Sequence, residues 1–112
     1  MAEYGEWTRK GASLSDVTAK KEYGVDRDFI VRGIRAEKLE YREGVMHGNP
    51  YLKILRGQLE KYIADELSEE YLLNVKHKTE LQKVRNEITG LNKKLNILLK
   101  RKTQLESLLM DH

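Results

Sequence analysis

LSDVTAKKEYGVDRDFIVRGIRAEK, Leu14 to Lys38, is the stretch on which the reading of the fold turns. Leu14 to Val25 reads as a short helix with Ser13 or Ser15 at its N-cap, where a hydroxyl accepts from the free amides of the first turn. Gly24 is expected to end it, since glycine enters the left-handed conformation of a helix C-terminus without a Cβ penalty. Val25 then buries, and Asp26 caps a second helix, RDFIVRGIRAEK, from Arg27 to Lys38. On a helical wheel Ile30 and Ile34 point one way, while Asp28, Arg32 and Arg35 point another. Downstream, LEYRE (Leu39 to Glu43) alternates like a strand, MHGNP (Met46 to Pro50) clusters turn formers, and YLKIL (Tyr51 to Leu55) alternates again. The pattern is two helices joined by a glycine turn, then a β-hairpin.

The composition changes after Gly57. Seven of the eight glycines and the only proline lie at or before it, and Gln58 onwards is dominated by good helix formers. The chain therefore divides into a head, residues 1–57, and a long helix, residues 58–112. Within the latter, Leu81, Val84, Ile88, Leu91, Leu95, Leu98, Lys102, Leu105 and Leu109 recur in steps of three and four. That is an a/d heptad seam, apolar except at Lys102, and its 3.5-residue period implies a left-handed supercoil. Extended backwards, the register puts Asn74 and Leu67 at a and His77 at d. A helix unbroken from Gln58 to Met110 would be about 80 Å long. No 57-residue head covers both sides of that length, so the seam is expected to find a second helix. A homodimer is expected, but Leu99 and Leu108 at e and g and Ile97 at c widen the apolar face enough for more than one neighbour and leave a higher oligomer open.

With 112 residues, 35% of them charged and 39% hydrophobic, the chain suits one small domain with an extended appendage rather than a single large core. The absence of cysteine rules out disulfides, thiolate metal sites and cysteine nucleophiles. MAEYGEWTRKG lacks the apolar core of a secretory signal, and no stretch reaches the length of a membrane span, so a cytoplasmic protein is expected. The net charge of +3 permits a nucleic-acid partner without demanding one. Catalysis is not expected: no Ser-His-Asp order, P-loop, GxGxxG or paired carboxylates can be assembled, and no cofactor is implied. His77 reads as a tolerated polar residue of the seam, and with His47 and His112 isolated from it no metal site is expected. Trp7 and Tyr4 are expected to cover the small core of the head.

Gly24-Val25, then Ile34-Arg35-Ala36-Glu37-Lys38-Leu39, then Leu59-Glu60-Lys61-Tyr62-Ile63 appear in this order with a hairpin between the last two. This resembles the winged helix-turn-helix of excisionases and MerR-type regulators, over about half the chain. The resemblance implies a mainly α fold: a small winged helix-turn-helix head followed by a long α-helix forming a coiled coil. It also implies a dimeric DNA-binding protein, a transcriptional regulator or an architectural, excisionase-like factor. Departures are Gly33, where the family places a large residue, Glu37, where it places glycine, and Asp16 and Glu22 at commonly apolar positions. Candidate contacts to double-stranded DNA are Arg27, Arg32, Arg35 and Lys38 from the second helix, and Arg42, His47, Asn49 and Lys53 from the hairpin. Segment 26–42 holds five basic and four acidic side chains, so an adaptor whose head docks another protein is the alternative.

Replacing both Leu91 and Leu95 with Asp places charges in the middle of the seam and is expected to yield monomers. Light scattering that returns the mass of the unmodified protein would refute the seam.

Overall fold

The structure, a computed structural model, describes residues 4–111; the side chain of Tyr4, and His112, lie outside the described residues. It is mostly helical, with one small antiparallel sheet and a long C-terminal helix. Local capping explains where the first helices sit. After the short helix α1 (Tyr4–Thr8), the Ser15 hydroxyl accepts the Thr18 amide at 3.1 Å and starts α2 (Asp16–Tyr23). Gly24, at φ 72°, closes α2 with its amide on Lys20 O at 3.0 Å. A Cβ at Gly24 would also stand 2.9 Å from the Tyr71 hydroxyl, so both the turn and the packing require glycine. Asp26 Oδ1 accepts the Phe29 amide at 2.9 Å and starts α3 (Arg27–Arg35), which turns Phe29, Ile30 and Gly33 inwards.

Helix α3 stops at Arg35 rather than Lys38, for a reason visible in its backbone. The Lys38 amide reaches Gly33 O at 2.9 Å and the Glu37 amide reaches Ile34 O at 3.0 Å. Those are the two hydrogen bonds of a Schellman motif, with Glu37 held in the left-handed region at φ 59°. Gly33 is equally constrained: a Cβ there would lie 2.6 Å from Leu39 Cδ1 and 2.8 Å from Tyr62 Cε2. The small residue lets α3 approach the rest of the core closely.

The hairpin consists of β2 (Tyr41–Met46) and β3 (Asn49–Leu55). His47 and Gly48 join them, at φ 52° and 81°. Two positive φ values in a two-residue loop define a type I′ turn, whose twist matches that of the strands. The first strand begins at Tyr41 rather than Leu39 and runs on to Met46, and the second begins at Asn49 and ends at Leu55 as expected. The inner ends extend because the turn is two residues rather than five. Pro50 pairs with Val45 beyond the reach of any third strand, so its missing amide costs no ladder bond. The larger correction concerns Leu14, expected in a helix. It lies instead in β1 (Ser13–Ser15), which pairs antiparallel with β3 in the sheet order β1-β3-β2. Leu14, Leu52 and Ile54 form the inner face of this sheet and pack with Phe29, Ile30, Leu59 and Ile63. Trp7 is buried but stands apart from that cluster, beneath Arg42.

The helix expected to run unbroken from Gln58 is two helices. α4 (Arg56–Glu66) ends at Leu67, and the Ser68 hydroxyl caps α5 (Glu69–Met110) by accepting the Tyr71 amide at 2.9 Å. Glu69 and Glu70 in the first turn suit the positive helix N-terminus. The break allows Tyr71, Leu72 and Val75 to pack on the core, so Leu67 does not take a seam position. Asn74 and His77 are exposed on those same turns. One compact unit ends at Thr79 and a second begins at Glu80; the expected division near residue 57 falls at the start of α4, whose Leu59, Tyr62 and Ile63 are core.

Glu37→Gly is expected to raise stability by about 1 kcal/mol by removing left-handed strain at the end of α3. Gly33→Ala is expected to lower it, and urea titration of both variants checks the two signs together.

Candidate nucleic-acid interface

The basic residues singled out in the sequence fall into separate groups. Arg27, Arg32 and Arg35 belong to α3 and are all exposed. Arg27 lies 3.9 Å from the Asp16 carboxylate, where two clefts meet. One is lined by Val17, Lys20, Lys21 and Asp28, the other by Glu43, Val45 and Pro50 of the hairpin. The Arg32 guanidinium is 5.7 Å from the Phe29 ring centroid, a cation–π contact that steadies it on the outer side of α3. Lys38 is exposed past the end of the helix, its amide engaged in the Schellman motif.

Arg42 and Lys53 form a second group. They are direct cross-strand partners, and Ser15 continues their row on β1. Because side chains alternate along a strand, burial of Leu52 and Ile54 on the inner face puts Lys53 and Arg42 on the outer face. The Arg42 guanidinium lies 4.6 Å from the Trp7 ring centroid. Like charges directly opposite across a ladder repel. His47 and Asn49 occupy the hairpin tip, His47 within the turn itself and Asn49 opposite Met46. The structure thus brings Arg27 and the hairpin together, but places Arg42 and Lys53 on the opposite face of the sheet from α3.

Sequence reasoning missed two cations and one anchor. Lys20 and Lys21 are exposed on α2 and line the cleft that contains Arg27; the adjacent pair just before Gly24 was the available signal. Asp16 is the anchor. Its Oδ1 accepts the buried Leu52 amide at 3.0 Å, where β1 has already ended, so a side chain continues the ladder that the backbone leaves off. Its other oxygen faces Arg27, which ties the hairpin to the start of α3.

The proposed oligomerisation residues are equally plain. No residue of α5 is buried, and Leu81, Val84, Ile88, Leu91, Leu95, Leu98, Lys102, Leu105 and Leu109 are all exposed. Among the described residues, no helix is long and apolar enough to cross a membrane. No protein-family model, curated protein or solved structure matches the chain.

Asp16→Ala leaves the buried Leu52 amide without an acceptor and is expected to cost on the order of 1–3 kcal/mol. Asp16→Asn keeps an acceptor oxygen and should cost less. Urea unfolding followed by Trp7 fluorescence ranks the two variants.

Proposed function

We propose that this chain is a homodimeric DNA-binding protein whose head is a winged helix-turn-helix of the excisionase and MerR type. In this reading α2 and α3 are the helix pair, the β2–β3 hairpin is the wing, and the seam of α5 joins two copies. The observation that carries it is the exposure of Arg32 and Arg35 on the outer side of α3, one turn apart on the second helix of a glycine-turned pair. A helix so placed offers bidentate donors to guanine edges in a major groove. Lys20 and Lys21, beside Arg27, suit phosphates, and the opposed Arg42 and Lys53 suit a further stretch of backbone. The protein acts by binding rather than catalysis, in a reducing cytoplasm that a chain without cysteine tolerates. Regulator and architectural factor are the two roles this supports.

A second reading, an adaptor that docks another protein, is favoured by one observation: Val45 and Met46 at the hairpin are 72% and 61% exposed. Salt separates the two, because neutralising phosphates makes affinity fall steeply with ionic strength. Fluorescence anisotropy on a randomised duplex pool, at low and near-physiological salt, is the test. Replacing both Arg32 and Arg35 with Ala should remove sequence preference, at roughly 1–3 kcal/mol for each base contact. Arg42→Ala and Lys53→Ala should weaken binding evenly across sequences and flatten the salt slope. Absence of salt-sensitive binding by the intact protein at tens of micromolar returns the adaptor reading.

A further inference from the structure

The face that α5 leaves open after Thr79 has a sequence that selects its own occupant. We propose that α5 pairs with α5 of a second copy of this chain, parallel and in register, as a two-stranded coil over Leu81 to Leu109. The proposal rests on the coiled-coil part of the reading above and not on its DNA-binding part.

Layer matching carries the direction. In a parallel, in-register pair each a residue meets its own equivalent, and so does each d residue. The eight apolar positions of the seam then form eight apolar layers, and only Lys102 meets a charged residue, its own counterpart. In an antiparallel pair every a faces a d. Lys102 then spoils two layers, and residues at the seam ends face His77, Asn74 or Glu70, or run past the chain end. No antiparallel stagger keeps more than six apolar layers.

The flanking charges agree. In the parallel register Glu80 at g faces Arg85 at e of the partner, and Arg101 faces Glu106. Lys94 meets Leu99, against which its methylene stem can lie with the ammonium in water. No flanking pair is repulsive. The antiparallel staggers that keep the most C-terminal leucines inside set Lys94 against the partner's Lys94 or Arg101. A single antiparallel stagger escapes that repulsion, and it sets Leu105 and Leu109 against Asn74 and Glu70.

Strand number follows from the width of the seam. Through the first two heptads the e and g positions are Arg85, Glu87, Asn92 and Lys94, so the apolar face there is no wider than two strands bury, and only Leu99 and Leu108 widen it further on. A lysine at a is also easiest to accommodate in a two-stranded coil, where its head reaches water. The eight seam residues are each between 43% and 75% exposed in the single chain, which leaves them the apolar area that a specific interface requires.

The chain has no cysteine, so a single introduced thiol reads direction without background. Full-length Leu105→Cys and, separately, Ile88→Cys are oxidised under non-denaturing conditions and run on non-reducing gels. The expected result is a covalent dimer as the main product of each variant alone. A second arm reverses charge: Arg85→Glu should raise the dimer dissociation constant about tenfold, and adding Glu80→Arg should restore it. Sedimentation equilibrium gives the mass in each case. A dimeric mass with no self-linkage at either position overturns the parallel arrangement, and a trimer or tetramer overturns two-strandedness. A monomeric unmodified protein overturns the pairing itself. Self-linkage in a protein that shows no salt-sensitive DNA binding upholds this proposal while removing the DNA-binding reading.

Discussion

Arg56 is the residue on which the rest of the head depends. It stands where β3 becomes α4, and its amide bonds Ala12 O at 2.7 Å while its guanidinium reaches Gly11 O, Glu22 and the Tyr23 hydroxyl. The Tyr23 hydroxyl in turn donates to Glu60 at 2.6 Å, and Glu60 pairs with Lys76 at 3.4 Å. Tyr71 closes the circuit by donating to Tyr23 O at 2.8 Å. Burial, reinforced by the Glu60 hydrogen bond, pushes the Tyr23 phenol up to about 12, so it stays protonated and keeps donating. Burial alone would pull the Arg56 guanidinium down; the hydrogen bonds with Glu22 and Tyr23 outweigh it and hold the group above its usual value. Four segments far apart in sequence thus meet at one charge-assisted network, worth more than isolated surface pairs because its members share partners.

The places where the chain is readable are those where one residue decides the local backbone. Ser15, Gly24 and Asp26 each act through their own side chain, or its absence, on amides within a few residues, so the helix pair was legible. The hairpin was legible for the same reason, with its turn narrowed to His47 and Gly48. What could not be read depends on distant partners. The strand around Leu14 is three residues long and exists only because residues 53–55 lie beside it. The break at Leu67 and Ser68 sits among helix formers, and only the packing of Tyr71, Leu72 and Val75 shows why the helix must turn there. Asp16 looked misplaced as a polar residue in a helix, yet its partner is a strand amide some thirty-six residues on.

Of the candidate site, the arginine pair on α3 was visible from helical spacing alone, whereas the grouping of the cations was not. Alternation along β3 turns Lys53 away from the core, and with it Arg42, so two residues adjacent in the reading of the hairpin belong to a different surface from α3. Lys20 and Lys21 reach the α3 side because the turn at Gly24 folds α2 back beside Arg27. Departures from the family pattern have structural reasons of their own: Gly33 makes room for Leu39 and Tyr62, and Glu22 serves Arg56.

The pairing of β1 with β3 also orders events during synthesis. Ser13 meets Leu55, so closing the sheet means closing a loop of about forty residues, while the I′ hairpin closes locally and fast. The final hydrogen bond onto the head comes from Thr79, whose hydroxyl donates to Glu22 O at 2.8 Å. Every residue the head needs has therefore left the ribosome's peptidyl-transfer centre before the first seam residue, Leu81, is added. The closing of the sheet and the contacts of Tyr71 and Thr79 are thus all made within residues 4–79, and none waits on a residue of the seam.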